Sequence, residues 1–180
     1  MEEDKLHIDK RLMRLHDAAT KYSGSVNAAV AEQLKGSHPS PCAGGALYRL
    51  GAETLTFHQA VLVLCATGWA SCSAPILRTM LDLSLSTAII VECPEEAELR
   101  GFRCTGFFLK AMLSRDDGDE SFRDHLRAQV EAGIERLNGG DQLRARRFIF
   151  NDRLPAYWYA PDYYRRPKEA ADKLFNPEMA

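Results

Sequence analysis

Apolar residues recur along the chain at alternating steps of three and four, the spacing that lines up side chains on one face of a helix. In residues 2–22 the stripe is Ile8, Leu12, Leu15, Ala19 and Tyr22, which predicts an amphipathic helix. Gly24 interrupts it, and Ser25 can cap a continuation through Leu34. The stretch 36–45, GSHPSPCAGG, is dense in turn formers and reads as a loop. From about Ala46 to Thr67 two stripes run side by side. One is Leu47, Leu50, Thr54, Phe57, Val61 and Leu64; the other is Leu55, His58, Leu62 and Cys65. A helix apolar on two sides is expected to be central.

Gly68 is the expected stop, Ser71 or Ser73 the next cap, and Pro75 is tolerated in the first turn of a third helix reaching about Glu92. Pro94 and the acids Glu95, Glu96 and Glu98 announce a fourth, because acidic side chains suit the positive end of the helix dipole. Its inner stripe is Leu99, Phe102, Gly106, Leu109 and Leu113. A fifth helix is expected over about Glu120–Leu137, with Phe122, Leu126, Val130, Gly133 and Leu137 inward and Asn138, Gly139 and Gly140 ending it. A basic helical piece near 141–150, an aromatic loop and a turn near Pro167–Phe175 complete the chain. No strand-like alternation and no fixed repeat stands out. The pattern predicts an all-α fold: one domain over residues 1–180, a helical bundle of about five main helices with a basic, aromatic-rich C-terminal segment.

Within the third helix, residues 75–91 (PILRTMLDLSLSTAIIV) are apolar nearly throughout yet contain Arg78 and Asp82, one turn apart. A charge buried without a partner costs several kcal/mol in order of magnitude, so a buried pair must bond. Folding the chain about residue 70 brings His58 level with Asp82. The expectation is therefore a buried cluster of His58, Arg78 and Asp82 that fixes helix register. The competing reading makes it a pocket, with Arg78 binding an anion and His58 a general base oriented by Asp82.

Composition narrows the classes. A formal net charge of -2 gives no overall pull toward nucleic acid or anionic membrane. The start, MEEDK, is acidic where a secretory signal would be basic and then apolar. The charge pair interrupts the longest apolar run, so no membrane span is expected. Cys42, Cys65, Cys72, Cys93 and Cys104 form no CxxC pair, which suits reduced thiols in a cytoplasm better than disulfides or zinc. There is no phosphate-cradling glycine loop, HExxH or nucleophile elbow, so neither cofactor nor metal is expected. His7, His38 and His125 stand in polar contexts.

The stretch 68–108, GWASCSAPILRTMLDLSLSTAIIVECPEEAELRGFRCTGFF, resembles the core of a bacterial family catalogued as domain of unknown function 5677. Leu77, Arg78, Thr79 and Asp82 match its Leu-Arg-[Ser/Thr]-x-x-[Glu/Asp] motif, with Asp where Glu is commoner. Residues 154–174, LPAYWYAPDYYRRPKEAADKL, are similar to its tryptophan loop and following short helix. The resemblance implies a helical fold in a bacterial intracellular setting and no established activity. It also implies further C-terminal helices carrying a histidine, whereas this chain stops at NPEMA; those helices are expected to be missing here, dispensable or supplied by a partner.

Two further constellations carry chemistry. Arg11 and His16 have the Arg-x4-His spacing of the HEPN group of helical ribonucleases and nucleotide-acting domains, where such a pair does acid–base work around a ribose hydroxyl and phosphate. On the wheel they flank the apolar stripe, as boundary residues commonly do. Toward the C-terminus, Phe148, Phe150, Tyr157, Trp158, Tyr159, Tyr163, Tyr164 and Phe175 interleave with Arg144, Arg146, Arg147, Arg153, Arg165 and Arg166. Arginine among rings suits single-stranded nucleic acid, and equally a packed lid or protein interface, which is favoured. Arg78, Trp158, Tyr159 and Arg165 are the candidate ligand-binding residues. The sequence thus points to a helical module acting by binding or assembly, as a homo-oligomer or with a protein partner. A HEPN-like enzyme is the alternative.

Overall fold

The computed structural model describes residues 14, 17, 20, 21, 41–114, 120–151, 153–160 and 162–176. The fold is an all-α helical bundle, with no strand among the described residues. Six helices are defined: α1 (Pro41–Ala66), α2 (Ala74–Glu92), α3 (Ala97–Leu113), α4 (Glu120–Glu135), α5 (Gly139–Arg146) and α6 (Pro167–Phe175). The predicted N-terminal helices, apart from helical residues 14, 17, 20 and 21, lie outside the described residues. The chain divides into two compact units. One is Met1–Ser37 with Tyr48–Ser84, the other His38–Leu47 with Leu85–Ala180.

In the first unit, α1 ends where its glycine requires. Gly68 has φ +81°, its N–H bonds the Cys65 carbonyl at 3.3 Å, and Trp69 reaches back to Leu64 at 2.8 Å. This paired closure satisfies carbonyls that a helix end leaves open, and only glycine takes the left-handed φ without strain. Both predicted stripes of α1 are partly covered: Leu50 is buried, and Phe57, His58, Val61, Leu62 and Leu64 are half-buried.

The second unit holds a core of Leu99, Phe102, Val130, Ile134, Leu137, Ala145, Phe148 and Ile149. Helix α3 packs against α4 and α5 and against a π-helical segment, Arg147–Asn151, that continues α5. Leu126, Val130 and Leu137 face inward as expected, Ile134 is buried beside them, and Phe122 is exposed.

Two boundaries differ from the sequence expectation for identifiable reasons. Helix α1 is already formed at Pro41, the first residue described in that stretch and inside the anticipated loop, and the carboxylate of Glu98 on α3 takes two of its N–H groups. Glu98 accepts from Ala43 N at 2.9 Å and Cys42 N at 3.4 Å, a long-range version of the bond an N-cap side chain makes locally. Gly139 and Gly140 open α5 instead of merely closing α4, since the Asn138 carbonyl accepts from Asp141 and Gln142 at 2.9 Å.

The buried Arg78–Asp82 pair is corrected. Both residues are exposed, and no ion pair joins them. Full burial on α2 falls in its C-terminal half, at Leu85, Ser86, Ile89 and Ile90, while Ile76, Met80 and Leu83 are half-buried. An apolar run does not tell which stretch of a helix, or which of its faces, other chain lies over.

Candidate functional site

The buried charges sit one helix later. Helix α3 carries Arg100, Arg103 and Lys110, all buried. Each is held by a different device. Arg100 donates to the Ile89 carbonyl at 2.6 Å and to Glu92 at 2.9 Å, and twice to Glu96 at 3.3 Å. Its guanidinium lies 4.3 Å from the centre of the Tyr163 ring, a stacked cation–π contact. Burial opposes its charge, but hydrogen bonding and attraction from Glu92 and Glu96 outweigh that and raise its pKa. Lys110 donates to the carbonyls of Phe148 and Ile149 in the π segment, where the wider helical turn leaves acceptors to satisfy.

Arg103 pairs with Asp162 and stacks 5.1 Å from the Phe148 ring. Its Nε is buried with no hydrogen-bond partner among the described residues. This guanidinium lines a cleft of about 460 Å³ together with Arg144, Arg147, Phe148, Arg153, Leu154, Pro155, Ala160 and Asp162. Four guanidinium groups thus face one carboxylate. Arg144 is braced by Glu96 at 2.9 Å and Asp141 at 3.6 Å. Burial alone would lift the carboxyl of Glu96, but Arg144 and then Arg100 more than cancel this and hold it below the ordinary range. Arg153 is exposed. The cleft's volume is that of a small-ligand site, and its planar, charge-assisted donors match phosphate oxygens.

Several C-terminal aromatics are buried in the second unit. Trp158 and Tyr159 are buried, and Trp158 Nε1 donates to Ser86 Oγ at 3.1 Å. Tyr164 donates to Glu92 at 2.7 Å, and burial, then that bond, push its pKa up to about 12. A raised folded pKa means its contribution is complete below the phenol's ordinary value of 10 and disappears as pH climbs through about 12. In an alkaline titration followed by tyrosinate absorbance, the late step of Tyr164, which joins that of Tyr163 whose pKa burial also raises, should coincide with a loss of stability. Tyr164→Phe should remove that late step and cost about 1 kcal/mol at neutral pH. An unchanged titration would contradict the Tyr164–Glu92 bond.

Of the residues singled out in the sequence, Arg78, Asp82 and Arg165 are exposed, His58 is half-buried, and Trp158 and Tyr159 are in the core. None of these lines the cleft. Arg11 and His16 lie outside the described residues. The arginine–aromatic constellation of the sequence includes Arg144, Arg147, Phe148 and Arg153 but not Arg103 and Asp162, which complete the cleft; the spacing Glu96, Arg100 is a usable signal for the buried network. Glu four residues before Arg is the favourable orientation for a helical pair. Among the described residues no cluster of His, Cys, Asp and Glu could hold a metal ion. Comparison with protein-family models, curated proteins and solved structures finds no match.

Proposed function

We propose that this protein is a helical binding module that takes a small phosphate-bearing anion into the arginine cleft lined by α3, α5, the π segment and residues 153–155, 160 and 162. The observation that carries this reading is the convergence of Arg103, Arg144, Arg147 and Arg153 on one cleft whose lining includes a single carboxylate, Asp162, with Arg144 also paired to Glu96 and Asp141. Arg103 is a buried guanidinium in that lining, and charge attraction is weakened less by solvent there than at an open surface, which favours an anionic ligand. The π segment supports the assignment: such distortions concentrate at functional sites, and this one brings Arg147 and Phe148 to the cleft.

Five cysteines that form no disulfide among the described residues support a reducing compartment, hence a cytoplasmic setting. On the resemblance at residues 68–108 and 154–174, we place the chain beside the domain of unknown function 5677 family in bacteria. That placement sets no activity. The HEPN-like alternative rests on Arg11 and His16, and no observation in the cleft favours it.

The test is thermal unfolding with inorganic pyrophosphate against sodium chloride of matched ionic strength. At a hundredfold excess over Kd, binding adds about 2.7 kcal/mol, which for a chain of this size raises Tm by about 5 °C or more. Equal midpoints in the two salts would refute an anion site.

A further inference from the structure

Helix α2 has a second feature that the cleft does not use. Ala74, Leu77, Leu81, Ser84, Ala88 and Val91 follow one another at steps of three, four, three, four and three, the seam of a helix that pairs with another helix. In this chain the seam is largely uncovered: Leu77 is 46% exposed, Leu81 71% and Val91 54%. Arg78 and Asp82 run beside Leu77 and Leu81 on the same exposed side.

Two occupants fit an apolar helix of this length. The segment Ala70–Glu92 is long and apolar enough to cross a membrane by length and composition. Lipid, however, offers nothing to either charge at residues 78 and 82, and charges in mid-bilayer are strongly disfavoured. A second copy of the chain answers both. An interface with two-fold symmetry brings the same patch against itself, so residue i meets j and j meets i. With two α2 helices antiparallel and the axis near residue 80, Arg78 of each copy comes level with Asp82 of the other, and Leu77 lies beside Leu81. The opposite charges, spaced about 6 Å along the axis by one helical turn, then form two equivalent pairs. From this self-complementarity we infer that α2 is a homodimerisation surface, packing antiparallel on α2 of a second copy through Leu77, Leu81 and the Arg78–Asp82 couple.

The experiment is sedimentation equilibrium on the full chain and charge-swapped variants, with circular dichroism as the check on folding. The substituted side chains are exposed, so the fold is expected to survive. Wild-type protein should be dimeric at micromolar concentration. Arg78→Asp and Asp82→Arg should each weaken the dimer about tenfold, two symmetric pairs being lost together. Their equimolar mixture, and the double swap, should recover it, and Leu81→Glu should leave a monomer. All four variants should still bind pyrophosphate like wild type, so failure here is separable from failure of the cleft. A monomeric wild type, single swaps no weaker than the double swap, or wild-type chain that floats with neutral lipid vesicles through α2 would each overturn the dimer.

Discussion

Gly101→Ala should destabilise the protein by about 3 kcal/mol, the upper end of what overpacking a core normally costs. A Cβ built at Gly101 lies 2.5 Å from Ala43 Cα and 2.7 Å from both Ala43 N and the Cys42 carbonyl oxygen. These are main-chain atoms, so no rotamer change can make room; α1 and α3 have to separate. Separation also pulls Glu98 from the first N–H groups of α1, which it caps from one turn away on α3. Gly45→Ala is the matched control. It stands in the same opening turns of α1, nothing lies within 4 Å of where its new methyl would sit, and alanine in a helix is favoured over glycine by about 1 kcal/mol. Urea unfolding should therefore show opposite signs for the two substitutions. Similar effects from both would mean that α1 and α3 do not touch backbone to backbone at Gly101.

Arg100→Met is expected to cost about 3 kcal/mol, the low end for breaking a buried ion pair by removing one partner. The low end applies because water reaches the two acids: the side chains of Glu92 and Glu96 are 38% and 28% exposed, against 8% for Arg100. What remains unrelieved is the Ile89 carbonyl, which Arg100 serves at 2.6 Å. Arg100→Lys should restore only a minor part. A single ammonium lacks the planar fork that lets one guanidinium serve a carbonyl and two carboxylates at once. Lysine performing as well as arginine, measured by the same urea midpoints, would contradict the network as described.

The contrast between Arg78 and Arg100 shows what is legible in the sequence. Helix positions emerge from three-and-four spacing almost everywhere, because each helix of the second unit buries one face. Gly68, Pro94 and Pro167 act where sequence places them. Start points that depend on distant residues are not legible: no local pattern says that Glu98 will cap a helix more than fifty residues earlier. The site is hard to place for a related reason. Arg78 and Asp82 draw attention by standing in an apolar run, whereas Arg100 and Arg103 sit among other charges and resemble ordinary surface. Burial is decided by which helix is covered, and α3 is enclosed by α4, α5 and the π segment while the front half of α2 is not. In the aromatic C-terminal segment, Trp158 and Tyr159 pack as the sequence suggests. That Arg144, Arg147 and Arg153 share a cleft depends on the turn between them, which no spacing encodes.

That cleft is the centre of the account, and charge substitutions of opposite sign test it most directly. Titration calorimetry with inorganic pyrophosphate should be run on wild-type protein, Arg153→Ala and Asp162→Asn. Losing one charge-assisted donor should weaken binding about tenfold. Removing the one lining carboxylate, which also holds Arg103, should tighten it by a similar factor. No heat of binding in the wild type, or one affinity shared by all three proteins, would contradict an anion-binding cleft.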